Sequence, residues 1–217
     1  MRSFLLCCVA MTCLSFSLKA QQARILTRAE IAEEFGTEDS SFYHKLPIWR
    51  AYHYTDKAGE WYLLLCERVY RQTGKDTLRN RIQAIALKPD HGGYIEKWNI
   101  TDYLVLPTGA ENGEYEEADI WFWTKYSRFK DIDGDGLVDP IIVYGTADAE
   151  KNDNRIKILI VYQNKKYAVR AVECVLDDCR RLKYDAAYST LPGSIQKEVQ
   201  KVMQEIRNGR GAILHDG

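Results

Sequence analysis

The sequence contains none of the short motifs that identify the common hydrolases and nucleotide-binding enzymes. Its four histidines (His44, His53, His91 and His215) lie in unrelated contexts, with no His-x-x-x-His pair and no Gly-x-Ser-x-Gly turn. The segment 73–75, Thr-Gly-Lys, lacks the upstream glycines of a phosphate-binding loop. A zinc-hydrolase helix, a nucleophile elbow and a P-loop are therefore excluded, and we interpret these residues as surface or core positions.

The chain also lacks internal repeats, an excess of either charge and, beyond its first twenty residues, any long apolar run. Without a repeat, a propeller built from many similar blades is excluded. No later stretch approaches the ~20 apolar residues that span a bilayer, so we expect no membrane span after signal cleavage. The chain has 30 basic and 31 acidic residues. This balance gives no electrostatic reason to bind nucleic acid or an anionic membrane surface.

Residues 1–20 have the layout of a secretory signal peptide. A basic start is followed by an apolar stretch, and the small residue Ala20 precedes the polar Gln21. We predict cleavage between these two residues, which leaves a single β-rich domain over residues 21–217, either periplasmic or secreted. The alternative is lipidation at Cys13, which would produce an outer-surface lipoprotein.

Cysteine is scarce in the predicted mature chain, because three of the six cysteines fall in the signal peptide. Cys174 and Cys179 are close enough in sequence to close a short loop by a disulfide in an oxidising compartment. The alternative is that both are reduced and pack as small hydrophobic residues. Cys66 lies in an apolar run typical of a buried strand, so we predict a core thiol and not a reactive one.

The most specific pattern in the chain is the stretch 131–139, Asp-Ile-Asp-Gly-Asp-Gly-Leu-Val-Asp. Its acidic positions, the first, third, fifth and ninth, are Asp131, Asp133, Asp135 and Asp139. These carboxylates can converge on one hard cation, and the backbone carbonyl of Leu137 is placed as a further ligand. Without a cation the clustered negative charges would repel one another strongly. The stretch therefore predicts a structural Ca²⁺ site, while an ordinary polar hairpin turn is the other interpretation.

The residues around this loop distinguish it from an EF-hand. Ile142 stands where an EF-hand has its bidentate Glu, and Pro140 disfavours an exiting helix. The loop lies between two strand-like runs, and it resembles the Asp-x-Asp-x-Asp-Gly-x-x-Asp hairpin loops of integrin-type FG-GAP repeats. The missing ligand leaves open that Glu116, Glu117 or Asp119 completes the coordination shell.

Hydrophobic periodicity predicts an α+β fold that is predominantly antiparallel β-sheet. A capping box formed by Thr27 and Glu30 predicts a short N-terminal helix. Apolar residues at helical spacing from Ile195 to Ile206 predict an amphipathic C-terminal helix that Ser194 caps. The predicted strands are 48–55, 61–71, 81–88, 93–99, 118–126, 140–144, 155–163 and 166–175, with Asn164 and Lys165 as a tight hairpin turn.

The aromatic run 121–126, the Asp loop after it and the strand-like segments 141–146 and 157–162 together resemble an uncharacterised family of exported proteins. That family occurs in Bacteroidota and related Gram-negative bacteria, and some members are labelled surface-polysaccharide biosynthesis proteins. The resemblance implies an envelope location and a link to surface glycans. It implies no established reaction and no catalytic residues.

Two functions follow as hypotheses. The first is a non-enzymatic, calcium-stabilised envelope protein that assists the biosynthesis of surface polysaccharide, or binds surface polysaccharide or a partner protein of the envelope. The second is a calcium-dependent enzyme acting on glycans, with carboxylates such as Glu67 or Glu96 as acid and base. Paired carboxyl groups in a pocket would favour the enzyme, whereas a shallow aromatic face would favour binding.

Overall fold

The computed structural model describes residues 23–38, 41–74, 76–104, 117–174 and 177–215, so the predicted signal peptide lies outside the described residues. Within these ranges the helices are α1 (Arg28–Phe35) and α2 (Gly193–Arg210). The strands are β1 (Arg24–Ile25), β2 (Ile48–Asp56), β3 (Gly59–Thr73), β4 (Asp76–Asp90), β5 (Gly93–Tyr103), β6 (Asp119–Phe122), β7 (Arg128–Lys130), β8 (Asp139–Ala147), β9 (Asp153–Tyr162), β10 (Lys165–Val172) and β11 (Arg181–Tyr184). Neither helix has both the length and the apolar character needed to cross a membrane.

The strands form two antiparallel sheets, which confirms the predicted fold class. The first sheet has the order β1-β2-β3-β4-β5, and the second has the order β11-β10-β9-β8-β6, with β7 also paired to β8. Most neighbours in each sheet are consecutive in sequence, because hairpins connect them. The two sheets therefore come from separate halves of the chain.

The molecule has four layers, with one helix outside each sheet. The inner faces pack on each other through residues such as Leu63 and Leu65 of β3 and Ile142 of β8, which are fully buried. The outer face of the second sheet is covered by one side of α2, whose buried residues are Ile195, Val199, Val202, Met203 and Ile206. Helix α1 covers part of the outer face of the first sheet. The apolar stripe predicted for α2 is thus a core surface.

Two predicted boundaries are wrong by one or two residues. Helix α2 begins after Pro192 and not at Ser194, and its N-cap makes no side-chain hydrogen bond. Pro192 is the N-cap, with an extended ψ of 145°, and its carbonyl accepts the Gln196 N–H at 3.0 Å as the first hydrogen bond of the helix. The β9–β10 turn consists of Gln163 and Asn164, both with positive φ, while Lys165 already pairs with Tyr162. A two-residue hairpin turn of this kind needs positive φ at both positions.

The aromatic run 118–126 is not one strand. It leaves the sheet after Phe122, turns at residues 124–126 and re-enters as the short strand β7. Trp123 and Tyr126 in this turn are buried beneath α2. Aromatic residues favour strands because their side chains pack well against neighbouring side chains. Trp123 and Tyr126 pack in this way although they lie at a turn.

Replacing Thr27 with Ala is expected to lower the free energy of unfolding by about 1 kcal/mol. The Thr27 hydroxyl accepts the Glu30 N–H at 3.3 Å, and the Glu30 carboxylate accepts the Thr27 N–H at 2.7 Å, so alanine loses half of the capping box. Urea unfolding measures the change. Thr27→Ser, which keeps a hydroxyl, should lie near the wild type, and equal losses in both variants would contradict the role of the cap.

Cys174 and Cys179 are joined by a disulfide, with Cα atoms 6.2 Å apart. Cys66 is fully buried in β3, and burial raises the pKa of its thiol well above the usual range. For protein purified from an oxidising compartment we expect no reactive thiol in the native state, one after unfolding and three after unfolding with reductant. Thiol titration measures these numbers. Three reactive thiols without reductant would contradict the disulfide.

Candidate metal site

The Asp loop is the connection between β7 and β8. Lys130 at the end of β7 pairs with Asp139 at the start of β8, so residues 131–138 form the tip of a hairpin. Gly134 and Gly136 adopt positive φ values of 83° and 88°, which residues with a side chain rarely adopt. The glycines let the loop fold back on itself, so its carboxylates lie close together.

Three of the four predicted carboxylates converge. Oxygen atoms of Asp131, Asp133 and Asp139 all lie within 4.8 Å of one another. Side-chain oxygens at this separation can bind one cation, because a Ca²⁺ ion holds its ligands at about 2.3–2.6 Å. Asp135 lies in the same loop but is not part of this group.

Backbone N–H groups hold all three of these carboxylates in place, and Asp133 accepts the N–H of Asp135 at 3.1 Å. Asp131 accepts hydrogen bonds from Gly134 at 2.7 Å and Gly136 at 2.9 Å, one to each oxygen. Asp139 accepts the N–H of Ile132 at 2.9 Å. The Asp139 residue is buried, and burial together with the nearby charges of the loop raises the pKa of its carboxyl to about 7. The loop thus fixes the carboxylates even though their negative charges repel.

A tyrosine from the neighbouring strand also reaches the site. The hydroxyl of Tyr162, at the end of β9, donates to a carboxylate oxygen of Asp133 at 2.9 Å. This bond to the carboxylate raises the pKa of Tyr162 to about 12. Sequence reasoning missed Tyr162, since its position depends on the pairing of β9 with β8. The available signal was a residue able to hydrogen-bond near the end of a predicted strand, two positions before the predicted hairpin turn.

The two remaining predicted ligands, Asp135 and Leu137, are bonded to each other. The Leu137 N–H donates to the Asp135 carboxylate at 2.8 Å, and the ammonium group of Lys57 donates to the Asp135 carbonyl. Lys57 therefore brings a positive charge to the rim of the acidic loop. The metal-binding roles of the Asp135 carboxylate and the Leu137 carbonyl stay predictions.

The loop is docked on the β2–β3 turn of the other sheet. The Val138 N–H donates to the Asp56 carboxylate at 3.1 Å, and the Lys57 N–H donates to the Gly136 carbonyl at 3.0 Å. The other oxygen of Asp56 accepts from the Trp61 indole at 3.0 Å. The candidate metal site therefore lies at a junction between the two sheets.

Of the acidic residues considered for the last coordination position, the two that the structure describes do not reach the loop. Glu116 lies outside the described residues. Glu117 binds Arg155 at 2.7 Å, and Asp119 pairs with the backbone of Ala147. Ala147 and Asp139 are the two ends of β8, so Asp119 and the loop lie roughly 26 Å apart at about 3.3 Å per residue. The prediction that Glu117 or Asp119 completes the shell is wrong.

A second acidic cluster is formed by Glu67 of β3 and Asp119 of β6. Glu67 and Asp119 both contact the guanidinium of Arg79, at 2.7 Å and 3.0 Å. The other Glu67 oxygen accepts the Phe122 N–H at 3.0 Å. Burial raises the pKa of Glu67 to about 7, although the Phe122 N–H and Arg79 lower it. Both oxygens of Glu67 are thus already bonded.

Glu67 also lines the largest cavity described, of about 580 Å³, beside α1 and the start of β2. Glu96, the other carboxylate considered for catalysis, is exposed on β5. The strand register places Asp102, not Glu96, level with Glu67, so the two glutamates lie roughly 20 Å apart. Glycosidase carboxyl pairs are separated by about 5–10 Å. Glu67 and Glu96 therefore do not form such a pair.

Comparison of the chain with protein-family models, with curated proteins and with solved structures finds no significant match.

Proposed function

We propose that this chain is an exported, non-enzymatic envelope protein that Ca²⁺ stabilises and that binds surface polysaccharide. The observation that carries the calcium part is the convergence of Asp131, Asp133 and Asp139 within 4.8 Å. All three offer carboxylate oxygens and no nitrogen or sulfur, a set that favours a hard cation over Zn²⁺ or Cu²⁺. The geometry supports a divalent ion, and extracellular availability makes calcium the best candidate.

The position of the loop supports a structural role for the ion. The loop contacts the β2–β3 turn through Asp56 and Lys57, so an ion that orders it also orders a junction between the sheets. A structural ion takes its ligands from the protein, whereas a catalytic ion keeps a position open for substrate. The backbone hydrogen bonds that orient Asp131 and Asp139 add to this rigidity.

The polysaccharide part of the proposal depends on the apparent signal peptide and on the family resemblance. The second candidate is a calcium-dependent enzyme acting on glycans, which one observation favours: Glu67 has a raised pKa and lines a cavity. Against it, both Glu67 oxygens are bonded to Arg79 and Phe122. We therefore prefer binding to hydrolysis.

Native gel electrophoresis through polysaccharide tests the binding proposal. The purified chain from residue 21, with calcium, is run in gels containing dextran as a neutral polymer or hyaluronate as an acidic one, and reducing ends are assayed in parallel. Retardation without new reducing ends supports the proposal. No retardation by any polysaccharide would overturn it. New reducing ends that disappear in Glu67→Gln would establish the enzyme instead.

A further inference from the structure

An exposed row of three side chains crosses the first sheet on its outer face. Arg68 of β3 lies directly opposite Arg81 of β4, and Arg81 lies directly opposite Tyr103 of β5. Directly paired residues of antiparallel strands point to the same face, with Cβ atoms about 4.5–5.5 Å apart. The Tyr103 side chain is 58% exposed, and both arginines are exposed. We refer to Arg68, Arg81 and Tyr103 as the arginine row.

The arginine row lies where the cover over the sheet ends. One row further along the strands is Gln83, which is buried and accepts the Lys45 N–H at 3.0 Å. Beyond it, the same face carries Leu64 and Ile85, which pack with α1 in the outer core. On β3 and β4, the row is therefore the first part of this face that is open to solvent.

Three of the four arginines of the β3–β4 hairpin have side chains without a partner among the described residues. The side chains of Arg68, Arg71 and Arg81 make no hydrogen bond, ion pair or ring contact there. Every other described arginine does, through carboxylates, carbonyls or a hydroxyl. Like charges directly opposite each other destabilise a strand pair. The guanidinium groups of Arg68 and Arg81 thus repel each other, and an anion bound between them would reduce this repulsion.

We propose that the arginine row binds a carboxylate-bearing polysaccharide. Two guanidinium groups side by side suit a carboxylate, since each can donate two parallel hydrogen bonds to it. The exposed ring of Tyr103 beside Arg81 offers an apolar surface for a neighbouring sugar ring. The choice of a polysaccharide as the polymer rests on the proposed function. The choice of an acidic one rests on Arg68 and Arg81, whose side chains have no partner among the described residues.

The charge distribution disfavours other anionic partners. The whole chain has a net charge of −1, so it has no general attraction to a nucleic acid or an anionic membrane. The two positive charges of the row lie on adjacent strands about 4.8 Å apart, and the uncharged ring of Tyr103 lies on the next strand. Such a row can select a ligand that has an apolar face beside an anionic group.

Affinity electrophoresis with matched polymers tests this proposal. The full mature chain is measured, with calcium, against hyaluronate and against the same polymer after reduction of its carboxyl groups. We expect hyaluronate to bind at least about 10-fold more tightly than the reduced polymer, and we expect its affinity to fall as NaCl is raised. Arg68→Gln/Arg81→Gln should lose this preference, and Tyr103→Ala should lower the affinity for both polymers.

The control variant removes two positive charges from another part of the protein surface. Lys97→Gln/Lys165→Gln replaces two exposed cations, on β5 and at the β9–β10 turn, and should bind like the wild type. Unchanged hyaluronate binding by Arg68→Gln/Arg81→Gln would overturn the proposal, as would binding to anionic lipid vesicles but not to hyaluronate. Equal binding of both polymers would overturn this inference but leave the proposed function intact. Binding of neither would refute both.

The chain's own acidic segment provides a last test. Residues 111–117 follow β5 in sequence and contain four glutamates. Replacing Glu111, Glu114 and Glu116 with Gln should leave hyaluronate affinity within about 2-fold. A large gain would show that these glutamates compete for the arginines, and would overturn the assignment of the row to an external ligand.

Discussion

The melting temperature of the protein is expected to rise by roughly 5–10 °C in 10 mM CaCl₂, and this rise should disappear in Asp133→Asn. The loop lacks the glutamate at position 12 of an EF-hand, so we expect a Kd near ~10⁻⁴ M, as in extracellular calcium modules. At one hundred times Kd, an ion that binds only the folded state adds about 2.7 kcal/mol. For a chain of 217 residues, each kcal/mol raises the melting temperature by roughly 2–4 °C.

Asp133 is the best position for this test because its carboxylate belongs to the converging group and also accepts from Tyr162. Asparagine keeps the shape and one acceptor but removes the charge. Asp90→Asn, an exposed residue at the β4–β5 turn, is the matched control and should keep the full rise. Mg²⁺ should raise the melting temperature much less, since it demands a smaller octahedral shell. Identical melting of wild type and Asp133→Asn with and without calcium would mean that the loop is an ordinary polar hairpin.

Replacing Arg79 with Met is expected to lower the free energy of unfolding by about 3–5 kcal/mol at pH 8. Its guanidinium contacts Glu67 at 2.7 Å and Asp119 at 3.0 Å, and these two side chains are only 3% and 15% exposed. Methionine preserves much of the volume but leaves two buried carboxylates without their cation. Each would then lose its cationic partner in a low-dielectric setting and keep only its backbone hydrogen bonds. Urea unfolding measures the loss.

The loss should depend on pH in a defined direction. Burial raises the pKa of Glu67 from 4.5 to about 7, and burial also raises the pKa of Asp119. A carboxyl with a higher pKa in the folded state binds more protons there, so its contribution to stability falls as the pH rises from 4.5 towards 7. Without Arg79 both pKa values should rise further. The loss in free energy of unfolding caused by Arg79→Met should therefore be small near pH 5 and reach its full size at pH 8.

Arg81→Met provides the matched control on the same strand. Arg81 is exposed, has no partner in the described residues and lies opposite another arginine, so its loss should change stability by less than about 0.5 kcal/mol at either pH. Equal losses in Arg79→Met and Arg81→Met, or a deficit of Arg79→Met that is the same at pH 5 and pH 8, would contradict the ion-pair cluster.

Local sequence patterns predicted the fold class and the centres of its main elements. The capping box of Thr27 and Glu30 and the apolar stripe of α2 are both present, because each depends only on residues within one helix. The short strands β1, β7 and β11 were missed, since two to four residues carry too little periodicity to be recognised. The pairing of strands into two separate sheets depends on contacts that no local pattern records.

Only the part of the candidate site that lies within the loop could be predicted from the sequence. The spacing of Asp131, Asp133 and Asp139 was sufficient to place them together. Tyr162 and Lys57 come from other hairpins, so their contacts with the loop depend on tertiary packing. The arginine row was missed for the same reason, because Arg68, Arg81 and Tyr103 become neighbours only through strand register.

The docking of the Asp loop on the β2–β3 turn has a kinetic consequence. The Val138–Asp56 hydrogen bond joins residues 82 positions apart, whereas most strand pairs of either sheet are hairpins. Local hairpins can form early, but a contact of this separation forms only after the two sheets have met. Interactions that are absent from the folding transition state act on the unfolding rate. Calcium should therefore lengthen the lifetime of the folded protein while leaving its refolding rate almost unchanged.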